Sequence, residues 1–145
     1  MGCDIHTMVE RYNPKTGKWK DMAGTWGWVE YSDGDRYPME LYGGRNYKLF
    51  GYLAEVRDEG YDDNSVAKGF PDDCSKRAKG WEEDIDLHSH TYFTLSELLA
   101  WKLFFEEDTE IREEVSQFYT QVVPALLGIC TGSPDDVRIL ICFDN

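Results

Sequence analysis

Basic residues are in short supply in this chain. Fifteen lysines and arginines stand against 28 acids in 145 residues, giving a formal charge of −13 and an isoelectric point near 4.5. A general nucleic-acid binder needs a basic face to displace counterions, and attraction to anionic lipid needs the same, so neither direct nucleic-acid binding nor membrane binding is expected. No apolar run approaches the ~20 residues of a membrane-spanning helix. Cys3, Cys74, Cys130 and Cys142 show no Cys-x-x-Cys spacing, which fits free thiols in a reducing cytoplasm better than a disulfide framework. Met1-Gly2-Cys3 has the look of a lipidation start, but His6 occupies the position where Ser or Thr is usual. No targeting segment is visible, so the cytoplasm is the expected location. Gly-x-Ser-x-Gly, a phosphate-binding Walker loop and His-Glu-x-x-His are all missing, which removes the commonest nucleophile, nucleotide and zinc-protease signatures.

What is present is enough for one domain, residues 1–145. Hydrophobic residues make up 41% of the chain and Trp, Tyr and Phe number 5, 9 and 7, sufficient for a core at this length. The acid excess reads as a solubilising surface, or as a face aimed at a basic partner, including mimicry of nucleic acid toward a nucleic-acid-binding protein.

Along the chain, residues 4–12 alternate as a strand, with Ile5, Thr7 and Val9 on one side and Asp4, His6, Met8 and Glu10 on the other. Asn13 to Gly17 is a turn, and Lys18-Trp19-Lys20 returns to complete a hairpin. Residues 26–31 read as a third strand, closed by Ser32-Asp33-Gly34-Asp35; residues 36–45 read as irregular. Leu49, Phe50, Leu53 and Val56 recur at helical spacing behind Asn46 as N-cap. Residues 58–85 form a long acidic loop, with Phe70 between Gly69 and Pro71 able to pin it to the core. Thr94-Leu95-Ser96-Glu97 is a capping box. A later helix carries the stripe Ile111, Val115, Phe118, Val122, Ala125, Leu126 and Ile129, which Pro124 should bend or split. Residues 137–143 are an apolar strand for the sheet centre. Antiparallel pairing with the first strand would set Asp144 near Asp4. The expected fold is α+β: an antiparallel or mixed sheet, built from the N-terminal hairpin and the C-terminal strand, with about three helices packed on one face.

Two constellations carry chemistry. Asp4 and His6 share a strand face; Asp86, His88 and His90 would do the same if extended. With Asp144 they offer imidazole and carboxylate ligands for a divalent metal, Zn²⁺, Mn²⁺ or Fe²⁺, in a site that activates water for hydrolysis of a phosphate-containing molecule. The simpler alternative is histidines satisfied by their neighbours. The second constellation is Arg45, Tyr47, Arg57, Lys68, Asp73 and Ser75, with Trp81 and His88 nearby in sequence. Guanidinium forks and a helix start hold anions, and aromatic rings stack on flat ones, so these residues fit a small anionic, nucleotide-like ligand. The competing reading is that the arginines pair with this chain's many carboxylates.

The opening Met1-Gly2-Cys3-Asp4-Ile5-His6, the block Gly44-Arg45-Asn46-Tyr47 through Arg57, the turn Gly69-Phe70-Pro71-Asp72, His88-Ser89-His90 and the final Phe143-Asp144-Asn145 together resemble a family of small bacteriophage and prophage proteins. The likeness runs from end to end. It departs at Lys68, where the family carries arginine and a bidentate contact would be lost, at Phe70 for leucine, and at Thr91-Tyr92 for Ser-Trp. The resemblance implies an accessory protein acting in the cytoplasm of an infected bacterium, one that evades host defence by sequestering or cleaving a nucleotide signal or by blocking a host protein.

Overall fold

The structure, a computed structural model, describes residues 2–57, 65–101 and 109–145. Its framework is a four-stranded antiparallel sheet formed by β1 (Asp4–Asn13), β2 (Lys18–Asp21), β5 (Leu87–Thr94) and β6 (Val137–Asp144), in the order β2-β1-β6-β5. The fold is α+β. Apart from Arg138 and the terminal Asp144, β6 is apolar because it lies between two strands, with both of its faces covered. It pairs with β1 so that Asp144 stands opposite Asp4 and Ile5 opposite Phe143.

The alternation along β1 sorts the sheet into two faces. Ile5 and Val9, with Val137, Ile139, Ile141 and Phe143 of β6, enter the larger core. Three helices cover that face: α1 (Tyr47–Ala54), α3 (Leu95–Ala100) and α4 (Thr109–Ile129). Asn46 caps α1 by accepting the Leu49 N–H at 3.1 Å. The Thr94–Glu97 capping box opens α3. Along α4, Val115, Phe118, Val122 and Leu126 are fully buried; the Ile111 side chain lies outside the described residues. Pro124 does not split this helix, which continues to Ile129.

The opposite face holds a smaller cluster of Met8, Leu140 and Cys142 under Phe70, Cys74 and Ala78. Here the expectation of an unstructured acidic loop over 58–85 is corrected. Residues 58–64 lie outside the described residues, but Lys76–Glu83 forms α2, capped by the Ser75 hydroxyl. The helix buries only Ala78 fully, so no apolar stripe marks it in the sequence. It is anchored instead by Arg77, which donates to both oxygens of Asp21 at 2.6 and 2.9 Å. Phe70 does pin its loop to the sheet.

Two further expectations change. The strand near residue 28, β3 (Trp28–Glu30), does not join the main sheet. It pairs with β4 (Arg36–Pro38), within a stretch read as irregular, and forms a separate two-stranded hairpin. Gly34, at φ 91°, supplies the left-handed residue of its turn.

Candidate functional site

The strand ends at Asp4, Asp144 and Leu87 lie side by side across the sheet. Polar residues gather at this end. Arg45, just before α1, donates Nε–H and Nη2–H to one oxygen of Asp4, at 3.0 and 2.7 Å. Gly2 packs directly beneath the guanidinium, where a Cβ would collide with it. Two residues further along β1, His6 lies on the same face as Asp144. Its Nε2–H donates to Asp144 Oδ2 at 2.8 Å, and its Nδ1 stands 3.5 Å from Glu40 Oε2. Glu40 also accepts the Thr7 N–H through Oε1 at 2.6 Å, covering the edge of β1 where β2 has ended. Glu40 first, then Asp144, raise the His6 pKa to about 9 against the opposing effect of burial. At neutral pH the ring is therefore an imidazolium held between two carboxylates.

This arrangement sets what the metal candidates can do. Both His6 nitrogens are occupied, and binding a metal would require the ring to lose a proton and leave Asp144 or Glu40. His88 and His90, expected on one face, are separated by a β-bulge between His88 and Thr91. Ser89 sits at φ 55° within it. His88 pairs across to Phe143 on the larger-core side, with the rings 6.3 Å apart, and its Nδ1 is 2.9 Å from Ser89 Oγ. His90 turns to the α2 side, where Nε2 meets the Trp81 carbonyl at 2.9 Å and the ring packs edge-on against Phe70. Asp4, His6 and Asp144 are thus brought together, and His88 and His90 are sent to opposite faces. No group of three or more His, Cys, Asp or Glu side chains is placed to hold a metal ion among the described residues.

The second constellation divides in three. Arg45, Tyr47 and Arg57 converge at the start of α1: the Tyr47 hydroxyl accepts the Cys3 N–H at 3.2 Å, and the Arg57 guanidinium lies 5.4 Å from the centre of the Tyr47 ring. Lys68 is at the far end of β5, donating to Glu97 at 3.1 Å and lying 4.2 Å from the centre of the Tyr92 ring. Asp73, itself exposed, and Ser75 flank a network on the α2 face whose centre, Glu10 and Arg138, is buried. There Arg138 donates Nε–H to Glu10 Oε1 at 2.8 Å and Nη2–H to Asp73 at 3.0 Å, while Glu10 Oε2 accepts the Ser75 N–H at 2.7 Å. The Arg138 guanidinium is also stacked 3.7 Å from the centre of the Trp19 ring. Trp81 stands apart from Arg45, edge-on to His6 at 6.2 Å.

Sequence reasoning missed Glu10, Glu40 and Arg138. A signal existed for two of them. Once Asp4 is set opposite Asp144, the same antiparallel register sets Glu10 opposite Arg138.

Clefts open on both sides of Arg45. One, of about 450 Å³, lies at the N-terminal end of α1 and is lined by Tyr42, Arg45, Asn46, Tyr47, Lys48 and Gln117, together with Gly44. No carboxylate lines it among the described residues. The other two are acidic and share Asp86 and Asp144. A cleft of about 690 Å³ includes Asp4, Arg45 and His88, and one of about 820 Å³ includes His6, Glu40, Trp81 and Asp84. All four cysteines are free thiols. Burial raises the pKa of Cys3, takes Cys74 to about 11 and pushes Cys142 higher still, so none of these three is poised as a thiolate nucleophile. No described helix is long and apolar enough to cross a membrane. Comparison with protein-family models, curated proteins and solved structures finds no match.

Proposed function

We propose that the protein binds a small anionic, nucleotide-like ligand at the N-terminal end of α1, as an accessory protein that sequesters such a signal would. One observation carries this reading. In a chain with nearly two acids per base, the cleft before α1 is lined by Arg45 and Lys48, by the rings of Tyr42 and Tyr47, and by no described carboxylate. A helix start adds its dipole and first-turn amides, which favour a phosphate or carboxylate there. Arg45 brings a planar fork suited to phosphate oxygens. Gly44 also lines the cleft, and a Cβ there would come within 2.7 Å of the Tyr42 hydroxyl. Of the other residues first considered for this ligand, Arg57 supports the Tyr47 ring, whereas Lys68, Asp73, Ser75 and Trp81 lie elsewhere.

Asp4 is the built-in competitor. Its oxygen takes two Arg45 N–H groups, so a ligand phosphate must share or displace it. This gives the test two directions. Calorimetry and native mass spectrometry against nucleoside mono-, di- and triphosphates and cyclic dinucleotides should find at least one ligand bound at micromolar concentration. Arg45→Ala should weaken it tenfold or more, and Asp4→Asn should tighten it. The absence of heat and of retained ligand at high micromolar concentration refutes the reading, as does Asp4→Asn weakening the binding as much as Arg45→Ala.

A further inference from the structure

We propose that the β3–β4 hairpin, with the cleft it walls, is a docking surface for a basic, apolar segment of a partner protein. The hairpin is a two-stranded sheet outside the main one, and two strands alone are marginally stable in water. Yet it presents large apolar side chains to solvent: Tyr31 is 56% exposed, Tyr37 52% and Trp28 47%. They are not scattered. Val29 and Tyr37 are cross-strand partners, and the Tyr31 ring packs edge-on against Tyr37 at 5.4 Å. Clusters of this kind on a protein surface mark interaction sites.

Charge selects the occupant. Tyr31 and Tyr37 line the 820 Å³ cleft together with Trp81, Asp84 and Asp86. Among the described residues the Asp84 carboxylate accepts only the Asp86 N–H, at 2.9 Å, and neither it nor the Asp86 carboxylate has a cation partner. The cations nearby are committed, Arg77 to Asp21 and His6 to Asp144 and Glu40. Residues 28–39 add Glu30, Asp33 and Asp35 against the single cation Arg36. A lysine or arginine head in this cleft would meet the two carboxylates that no cation of the described residues already neutralises. The apolar neighbours of that residue would cover Tyr31 and Tyr37. A second copy of this chain would instead bring −13 against −13, with the same acids in the interface.

The probe is a blocked octapeptide of alternating valine and lysine, compared with its valine–glutamate and glycine–lysine counterparts by calorimetry. The valine–lysine peptide should bind, with affinity falling as salt rises. The valine–glutamate peptide should not bind, and the glycine–lysine peptide should bind at least tenfold more weakly. Tyr31→Ser/Tyr37→Ser should weaken binding tenfold or more with the far-ultraviolet circular dichroism unchanged. Asp84→Asn/Asp86→Asn should weaken it and flatten the salt dependence. Arg45→Ala should leave it unaltered, which separates this surface from the cleft before α1. Equal affinity for the glycine–lysine peptide overturns the proposal, as does undiminished binding by the tyrosine double variant or no binding of any peptide. A concentration-dependent dimer in sedimentation that the same double variant dissociates also overturns it, by assigning the hairpin to a second copy.

Discussion

Arg138→Met should destabilise the protein by about 3–5 kcal/mol, the range for stripping a buried ion of its partner. The replacement keeps an unbranched apolar stem and removes the guanidinium. Glu10 has no exposed surface and Arg138 only 4%. With the guanidinium gone, the Glu10 carboxylate keeps the Ser75 N–H at 2.7 Å but loses the 2.8 Å contact that neutralises it. Asp73 is no substitute, because it carries the same sign. A chain of this size has about 5–15 kcal/mol in total, so the loss is a large fraction, equivalent to a fall in melting temperature of roughly 10 °C. Urea unfolding at pH 7 measures it, with an unchanged m-value as the check that the variant still unfolds in one step.

A double-mutant cycle makes the reasoning specific. Glu10→Gln keeps an acceptor for Ser75 and removes the buried charge, so Glu10→Gln/Arg138→Met should recover at least ~2 kcal/mol relative to the sum of the single changes. If Arg138→Met costs less than about 1 kcal/mol, or the two substitutions simply add, the pair is not the buried, mutually dependent unit described above.

Two more outcomes follow from the geometry. The His6 pKa rises from 6.5 to about 9 on folding, so the folded state binds the proton more tightly. The stabilisation is complete below about pH 6.5, while both carboxylates remain ionised, and is lost as pH rises to about 9. Glu40 and Asp144 are each about one-third exposed, so solvent screening leaves about 1 kcal/mol. The urea midpoint should decline over that window in the native protein and stay flat in His6→Gln; equal slopes would refute the assignment. Glu55, which ends α1 at φ 55°, should be better served by glycine, with Glu55→Gly gaining roughly 0.5–1 kcal/mol in the same assay. A loss would show that the Glu55 side chain contributes more than its backbone strain costs.

Much of the fold was legible because it rests on local or periodic signals. The alternation of Ile5, Thr7 and Val9 with Asp4, His6, Met8 and Glu10 needs only the two-residue period of a strand. Apart from Arg138, the run 137–143 has no polar side to show water, so it belongs between two strands. Asn46 and the Thr94–Glu97 box act within one turn of their own helices, and both bonds form as read. The helix at 76–83 was hidden because its stability is not periodic: a serine cap and an ion pair to Asp21 replace an apolar stripe. β4 was hidden because its three residues, two exposed and the third a half-buried proline, pair only with their hairpin partner.

The candidate site shows why a pattern of types is weaker than a register. Asp86-x-His88-x-His90 reads as three ligands on one face only if every intervening residue is extended. Ser89 at φ 55° breaks that condition, and one irregular residue moves every later side chain to the other face. A non-glycine residue at positive φ has no reliable local signal. Here it is accompanied by tertiary contacts, with the His90 carbonyl accepting the Gly69 N–H at 2.7 Å and its ring sitting on Phe70. The loop carrying Gly69 and Phe70 thus bears on which face each histidine takes. Register works the other way for Glu10 and Arg138. Each is a charge on a strand and reads alone as a solvated residue. Their position numbers sum to 148, as do those of Asp4 and Asp144 and of His6 and Cys142. The antiparallel pairing inferred from the chain's two ends therefore already places Glu10 against Arg138, and the burial of β6 makes that pair a charge neutralised inside the protein.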